Sequence, residues 1–154
     1  MLTRKDILVF ACLRENARET LTELSKRTKI PISSLYEMIR KAEGFFIKKY
    51  TAMLNFSELG FPILAEILIK VEHDDREAVR DFLQKSFNIN KVLKINNHYD
   101  FFIEGYFKSI IDVDHFLGRL EREFRVMDRK VFYVCDEISN EKFMSDSNLS
   151  DLVL

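Results

Sequence analysis

The sequence has no tryptophan, only two prolines, four glycines and two cysteines among its 154 residues. Two cysteines, Cys12 and Cys135, cannot staple a small disulfide scaffold, and they match no zinc-ligand spacing. Two reduced thiols and no metal site are the expectation. Scarce proline and glycine exclude collagen-like and low-complexity chains. No apolar run reaches the roughly 18 residues of a membrane span. The opening Met1-Leu2-Thr3-Arg4-Lys5-Asp6 leads into a mixed segment with Arg14 and Glu15, which is not a secretory leader. A cytoplasmic protein without membrane partners is therefore expected. What is present is 47% hydrophobic residues, including 14 phenylalanines, with 32% charged residues. That is enough apolar surface for a packed core and enough charge to keep its exterior in water.

A large net charge is also missing, the sum being -1. The sum conceals a division. Residues 1–50 hold 11 Lys+Arg against 6 Asp+Glu, a surplus of +5, and residues 51–154 hold 13 against 19, a deficit of −6. A basic third attached to an acidic remainder points to two modules with different partners.

In the basic third, Thr3 and Asp6 have the spacing of a helix start, and Val9, Phe10, Leu13 and Ala17 recur at helical intervals. Thr20 and Glu23 fit a capping box for a short second helix with Leu21, Leu24 and Thr28 on its inner face. Ile30-Pro31 interrupts it, because the residue before proline is pushed out of helical angles. A third helix carries Leu35, Met38, Ile39 and Ala42 on one stripe, and begins at Pro31 or, if Ser34 and Glu37 form a second capping box, at Ser34. Gly44 stops it. Residues 45–54 are aromatic and β-branched and predict a strand. Three short helices, a tight turn before the third, then a lysine-bearing strand make the pattern of a winged helix-turn-helix. The outer face of the third helix is short, polar and basic, as a major-groove reader requires. The candidate DNA contacts are Thr20, Ser33, Ser34, Tyr36, Arg40 and Lys41, with Lys48 and Lys49 on the wing. Glu37 on that face repels phosphate, and capping is its expected role.

Leu59-Gly60-Phe61-Pro62 is a turn-like break. Beyond it, Ala65, Ile67, Ile69 and Val71 alternate with polar positions as in a strand. Asp74-Asp75 can cap a helix with Ala78, Val79, Phe82, Leu83 and Phe87 on its apolar stripe. Residues 90–95 predict a second strand, Asn96-Asn97-His98 a turn, and residues 99–107 a third strand. Ser109 and Asp112 can cap a helix carrying Val113, Phe116, Leu117, Leu120 and Phe124, and residues 126–135 predict a fourth strand. The order strand, helix, strand, strand, helix, strand is the ferredoxin-like βαββαβ arrangement. Both helices then cover one sheet face. The other face, with candidates Leu64, Leu68, Phe102 and Tyr106, is too apolar to leave in water, and parity alone does not say which face is which. A second copy is the economical cover.

In these residues the chain resembles the Lrp/AsnC (leucine-responsive / asparagine regulator) transcription regulators. Asp6, Val9-Phe10, Leu13 and Asn16-Ala17-Arg18 look like the family's first helix, Leu24-Ser25-Lys26-Arg27 its second, and Ile39-Arg40-Lys41 with Glu43 its third. Ile47, Tyr50-Thr51-Ala52, Leu54-Asn55 and Leu59-Gly60 look like the connecting strand, and Tyr99-Asp100-Phe101 like the signature after the central turn. The resemblance implies an α+β chain divided as 1–54 (winged helix-turn-helix), 55–62 (linker), 63–138 (ferredoxin-like domain for oligomerisation and effector binding) and 139–154 (tail). It implies a homodimer, with tetramers or octamers beyond it, on pseudo-palindromic promoter DNA. It also implies an amino-acid effector near the central turn, at Asn96, Asn97, His98, Tyr99 and Asp100. Asn97 stands where relatives have glycine, which narrows the approach of a ligand to the backbone.

Two other readings compete. One is a DNA-organising protein with little sequence preference. The other is a relative of haem-precursor decarboxylases, for which no constellation speaks: His73, His98 and His115 are dispersed. No catalytic residues and no cofactor are expected. The tail, polar through Asp146, Ser147, Asn148 and Ser150 and ending in Leu152-Val153-Leu154, predicts a frayed end, or else a segment that packs on a neighbouring subunit.

Overall fold

A computed structural model describes residues 2–146. The chain forms two compact units. One holds the residues up to Met53 together with the segment beginning at Ile138, and the other spans Leu54–Glu137.

The first unit is three helices, α1 (Arg4–Glu15), α2 (Leu21–Thr28) and α3 (Ile32–Ala42). The Thr3 hydroxyl accepts the Asp6 amide while the Asp6 carboxylate accepts the Thr3 amide, and Thr20 and Glu23 repeat the exchange for α2. Both capping boxes are thus formed. Each satisfies amides that an isolated helix start leaves orphaned. Helix α1 stops before Ala17, which is exposed rather than part of the inner stripe. Asn16 accounts for this: its side-chain oxygen accepts the Arg18 amide at 3.1 Å, a local bond that competes with the helix. The core is Val9, Cys12, Leu24, Ile30 and Leu35, with Leu13, Met38 and Ile39 packed against it. Burial pushes the Cys12 thiol above its ordinary range.

The second unit is β1 (Ile63–Val71), α4 (Arg76–Lys85), β2 (Ile89–Lys94), β3 (Phe101–Phe107), α5 (Ile110–Glu123) and β4 (Val126–Tyr133). The four strands form one antiparallel sheet in the order β2-β3-β1-β4. This is the expected βαββαβ order, and the register resolves the parity. Ala65, Ile67, Ile69 and Val71 of β1 and Phe101, Ile103 and Phe107 of β3 pack with Val79 and Leu83 of α4 and with Val113, Phe116, Leu117 and Leu120 of α5. Leu64, Leu68, Phe102 and Tyr106 lie on the opposite, helix-free face, as pairs Leu64↔Tyr106 and Leu68↔Phe102. Leu93 and Phe132 extend that face, being paired with Phe102 and Glu66. Gly105 sits on the packed face because nothing larger fits. A Cβ there would stand 2.8 Å from Phe107 Cε2 and 3.1 Å from the Asn88 carbonyl.

Three local expectations are corrected. Asp75 does not cap α4. Its carboxylate accepts the Arg125 amide at 2.8 Å and the Arg125 guanidinium at 3.3 Å, and a 3-10 turn, His73–Asp75, leads into the helix instead. This Arg125 partnership holds the Asp75 carboxyl below the ordinary carboxylate range. Phe87 leaves the apolar stripe: it lies beyond α4 and is 85% exposed, beside Phe61. At Glu141 the tail is tied down, since Arg14 donates to both its carbonyl and its carboxylate, at 2.9 and 2.8 Å. The remainder of the predicted tail, with Ser147, Asn148, Ser150 and Leu152-Val153-Leu154, lies outside the described residues.

Candidate nucleic-acid interface

Helix α2 ends on Lys29, which adopts left-handed angles with φ 60°. The Ser25 hydroxyl donates to the Ile30 carbonyl at 2.6 Å, which closes the turn. Pro31, with φ −57°, is already set for a helix, so α3 starts at Ile32 rather than at Ser34. The Ser34–Glu37 capping box therefore does not form. Ser34 falls inside the first turn, and no side chain caps that helix start. The consequence favours function. Ser33 and Ser34 are exposed, and neither hydroxyl is engaged among the described residues. The first amides of α3 also remain available to an anion.

At 3.6 residues per turn, Ser33, Ser34, Tyr36, Glu37, Arg40 and Lys41 occupy one contiguous arc of α3. Leu35, Met38, Ile39 and Ala42 occupy the arc turned to the core. All six outer residues are exposed, Tyr36 at 54%. Arg40 lies 3.7 Å from Glu37, an exposed pair too weak to keep the guanidinium from a phosphate. Ile32 is also exposed, on the first turn.

Thr20 lies outside this arc. Its hydroxyl donates to Glu23 and accepts from the Glu23 amide, so its local duty is to cap α2. The predicted wing strand over residues 45–54 is absent. After Gly44, at φ 80°, the chain makes a turn in which the amides of Phe46 and Ile47 both bond the Ala42 carbonyl. A single bridge joins Glu43 to Ile47. Tight bonding back to the end of α3 leaves no partner strand to pair with. Lys48 and Lys49 are nevertheless exposed just beyond that turn. The Tyr50 hydroxyl donates to Glu43 at 3.3 Å, and burial with that carboxylate pushes its phenol up, so it remains a donor.

In the second unit the five residues of the central turn are partly committed. Asn97 takes the left-handed position with φ 78°. His98 Nε2 lies 3.1 Å from Asp128 Oδ2, and the Tyr99 hydroxyl donates to the same oxygen at 3.0 Å. Asp128 is held below the ordinary carboxylate range, first by His98 and then by Tyr99. Asp100 accepts the Val71 amide at 3.0 Å and the Arg76 guanidinium at 2.8 Å. Asn96 and Asn97 make no side-chain hydrogen bond among the described residues. Among the described residues, no group of three or more His, Cys, Asp or Glu stands where it could hold a metal ion. Among them, too, no helix is long and apolar enough to cross a membrane.

No family model matches the chain. Individual proteins do. The HTH-type transcriptional regulator FL11 of Pyrococcus horikoshii is 32% identical over 113 residues, covering 73% of this chain and 75% of the relative. FL11 of Pyrococcus furiosus is 33% identical over the same length. The regulator LrpC of Bacillus subtilis is 23% identical over 136 residues, 88% of this chain and 94% of LrpC. Among solved structures, a Neisseria meningitidis transcriptional regulator in complex with L-Met superposes with TM-score 0.85 at 23% identity, over 91% of this chain and 94% of that one. LrpC superposes at 0.83 over 90% and 98%. With a helix-turn-helix unit, a ferredoxin-like unit and relatives of this identity and coverage, the chain belongs to the Lrp/AsnC family of DNA-binding transcription regulators.

Proposed function

We propose that this regulator reads DNA with the outer arc of α3 and functions as a homodimer joined through the open sheet face. The observation that carries the DNA reading is the arc itself, six exposed polar or charged side chains on one helix preceded by a proline-set, uncapped first turn. Ser33, Ser34 and Tyr36 donate to base edges or phosphates, and Arg40, Lys41, Lys48 and Lys49 neutralise phosphates. Ile32 offers an apolar contact of the kind a thymine methyl accepts. Two copies related by a two-fold axis read pseudo-palindromic half-sites one helical turn apart.

The dimer reading rests on the helix-free face, where Leu64, Leu68, Leu93, Phe102 and Phe132 form a patch beside Tyr106, itself covered by the Phe56 ring at 4.3 Å. A small effector, such as the L-Met held by the Neisseria relative, modulates the dimer or its higher assemblies. The protein works in the cytoplasm and has no catalytic role.

Selection of genomic fragments bound by the purified protein, with and without an amino-acid mixture, tests the reading. The expected result is a short shared motif with two-fold symmetry. Equal retention of random competitor DNA would instead make it a DNA-organising protein, and no retention at low salt would sink the DNA reading altogether.

A further inference from the structure

The turn between α2 and α3 is shaped by its neighbours rather than by the residue within it. The Lys29 amide donates to the Ser25 carbonyl at 2.9 Å, and the Ser25 hydroxyl donates to the Ile30 carbonyl at 2.6 Å. The Thr28 hydroxyl donates to the Leu24 carbonyl at 2.7 Å and accepts the Ile30 amide at 3.3 Å. Ile30 itself is anchored in the core. Together these contacts oblige position 29 to take left-handed angles, φ 60° and ψ 24°. Glycine adopts such angles freely and asparagine tolerates them, whereas the Cβ of a lysine crowds its own backbone there. Outside the segment that follows β4, the other positive-φ positions among the described residues are Gly44, Gly60 and Asn97. Only at the α2–α3 turn does a long charged side chain stand in their place. A strained position that its surroundings impose is a pointer to the work of its side chain.

We infer that Lys29 holds this position for its charge, and that it contacts a DNA phosphate beside the start of α3. Lys29 is exposed, and its side chain has no hydrogen bond or ion pair among the described residues. A cation here could instead serve the negative end of α2. Lys26 and Arg27 already stand in that last turn, and Arg27 is bonded to Glu15 and Glu19 besides. The place of Lys29 in the chain fits a contact with DNA. Three Cα steps separate it from Ile32, the first residue of α3, so the two Cα atoms lie within about 11 Å. Ile30 turns into the core between Lys29 and Pro31, both of which are exposed. A duplex that seats the outer arc of α3 carries its phosphate backbone past the start of that helix. An ammonium on a flexible stem suits a phosphate there, since it needs no fixed geometry. Such a contact sets the register at which α3 enters the groove rather than the bases it reads.

The inference rests on the α3 reading above and adds one residue to it. Lys29→Gly, Lys29→Asn and Lys29→Arg are made in the full chain. Lys85→Gln, which removes an exposed lysine from the end of α4, controls for net charge. Fluorescence anisotropy over a salt series measures binding to the motif recovered from genomic fragments and to random duplex DNA, and urea unfolding measures stability. Lys29→Gly and Lys29→Asn are expected to unfold at the same urea concentration as the native chain or a higher one. They should nevertheless bind both DNAs about threefold or more weakly, with the slope of log K against log salt shallower by about 1 for each bound copy. Lys29→Arg and Lys85→Gln should keep the native affinity and slope. A lysine that served only the turn would show the opposite, a loss of stability with the slope unchanged. The inference is overturned if both neutral variants keep the native slope, if Lys85→Gln flattens it equally, or if both neutral variants unfold earlier than the native chain. A native chain that binds neither DNA would overturn the α3 reading as well, whereas native binding matched by the neutral variants overturns this inference alone.

Discussion

The Asp100 carboxylate ties Arg76 of α4 to Val71 of β1, one oxygen accepting the guanidinium at 2.8 Å and the other the Val71 amide at 3.0 Å. Val71 is buried, so without Asp100 its amide loses its acceptor. Asp100→Ala is expected to lower stability by about 1–3 kcal/mol, the cost of an unsatisfied buried donor. Asp100→Asn keeps an acceptor for Val71 and should lose less. Urea unfolding of the two variants against the native chain checks the order.

Arg40 and the lysine pair should separate in their salt dependence. Arg40→Ala is expected to weaken specific binding by about 1–3 kcal/mol if the guanidinium contacts a base. Lys48→Ala and Lys49→Ala should weaken specific and random DNA alike, each lowering the slope of log K against log salt by about 1. Fluorescence anisotropy over a salt series measures both quantities. Unchanged slopes would remove the two lysines from the interface.

Phe102 and Leu68 face each other across the β1–β3 ladder on the open side of the sheet. A glutamate at Phe102 would put an unpaired charge in the middle of the proposed dimer interface. Sedimentation velocity should then show a monomer whose circular dichroism matches that of the native chain. A dimer that persists in Phe102→Glu would move the interface elsewhere.

At Gly105 the structure leaves no space. A methyl group 2.8 Å from the Phe107 ring and 3.1 Å from the Asn88 carbonyl must push one of them aside. Gly105→Ala is expected to cost about 1–3 kcal/mol through overpacking, read as a lower denaturation midpoint.

Asp75 supplies a pH dependence. Its folded-state carboxyl is held down chiefly by the Arg125 side chain. A depressed carboxyl stabilises the fold above its unfolded value, near 3.8, and that contribution disappears as pH falls through the folded value. Asp75→Asn lacks the contribution at every pH. The gap between its thermal midpoint and that of the native chain should therefore be widest at about pH 7 and shrink towards about pH 3. A gap that stays constant would show that the pair adds no charge-dependent stability.

Features decided by neighbouring residues were legible in the sequence. The Thr3–Asp6, Thr20–Glu23 and Ser109–Asp112 caps are all formed, because a hydroxyl and an acid three residues apart meet in any helix start. Ser34 and Glu37 have the same spacing and fail, because Pro31 begins the helix earlier. Partners distant along the chain were not legible. Asp75 bonds Arg125 fifty residues away, and His98 bonds Asp128 thirty residues away. The exposed polar arc on α3 could be read from period alone.

The strand order β2-β3-β1-β4 leaves β2 and β4 each with one row of unpaired backbone groups. Such rows invite a foreign strand to continue the sheet. Here Lys91 and Lys94 stand on one edge, and Arg129 and Lys130 on the other. Two copies brought edge to edge would set these cations against each other. The lysines on these edges thus oppose growth into sheets that extend without limit, whatever pair the open face forms.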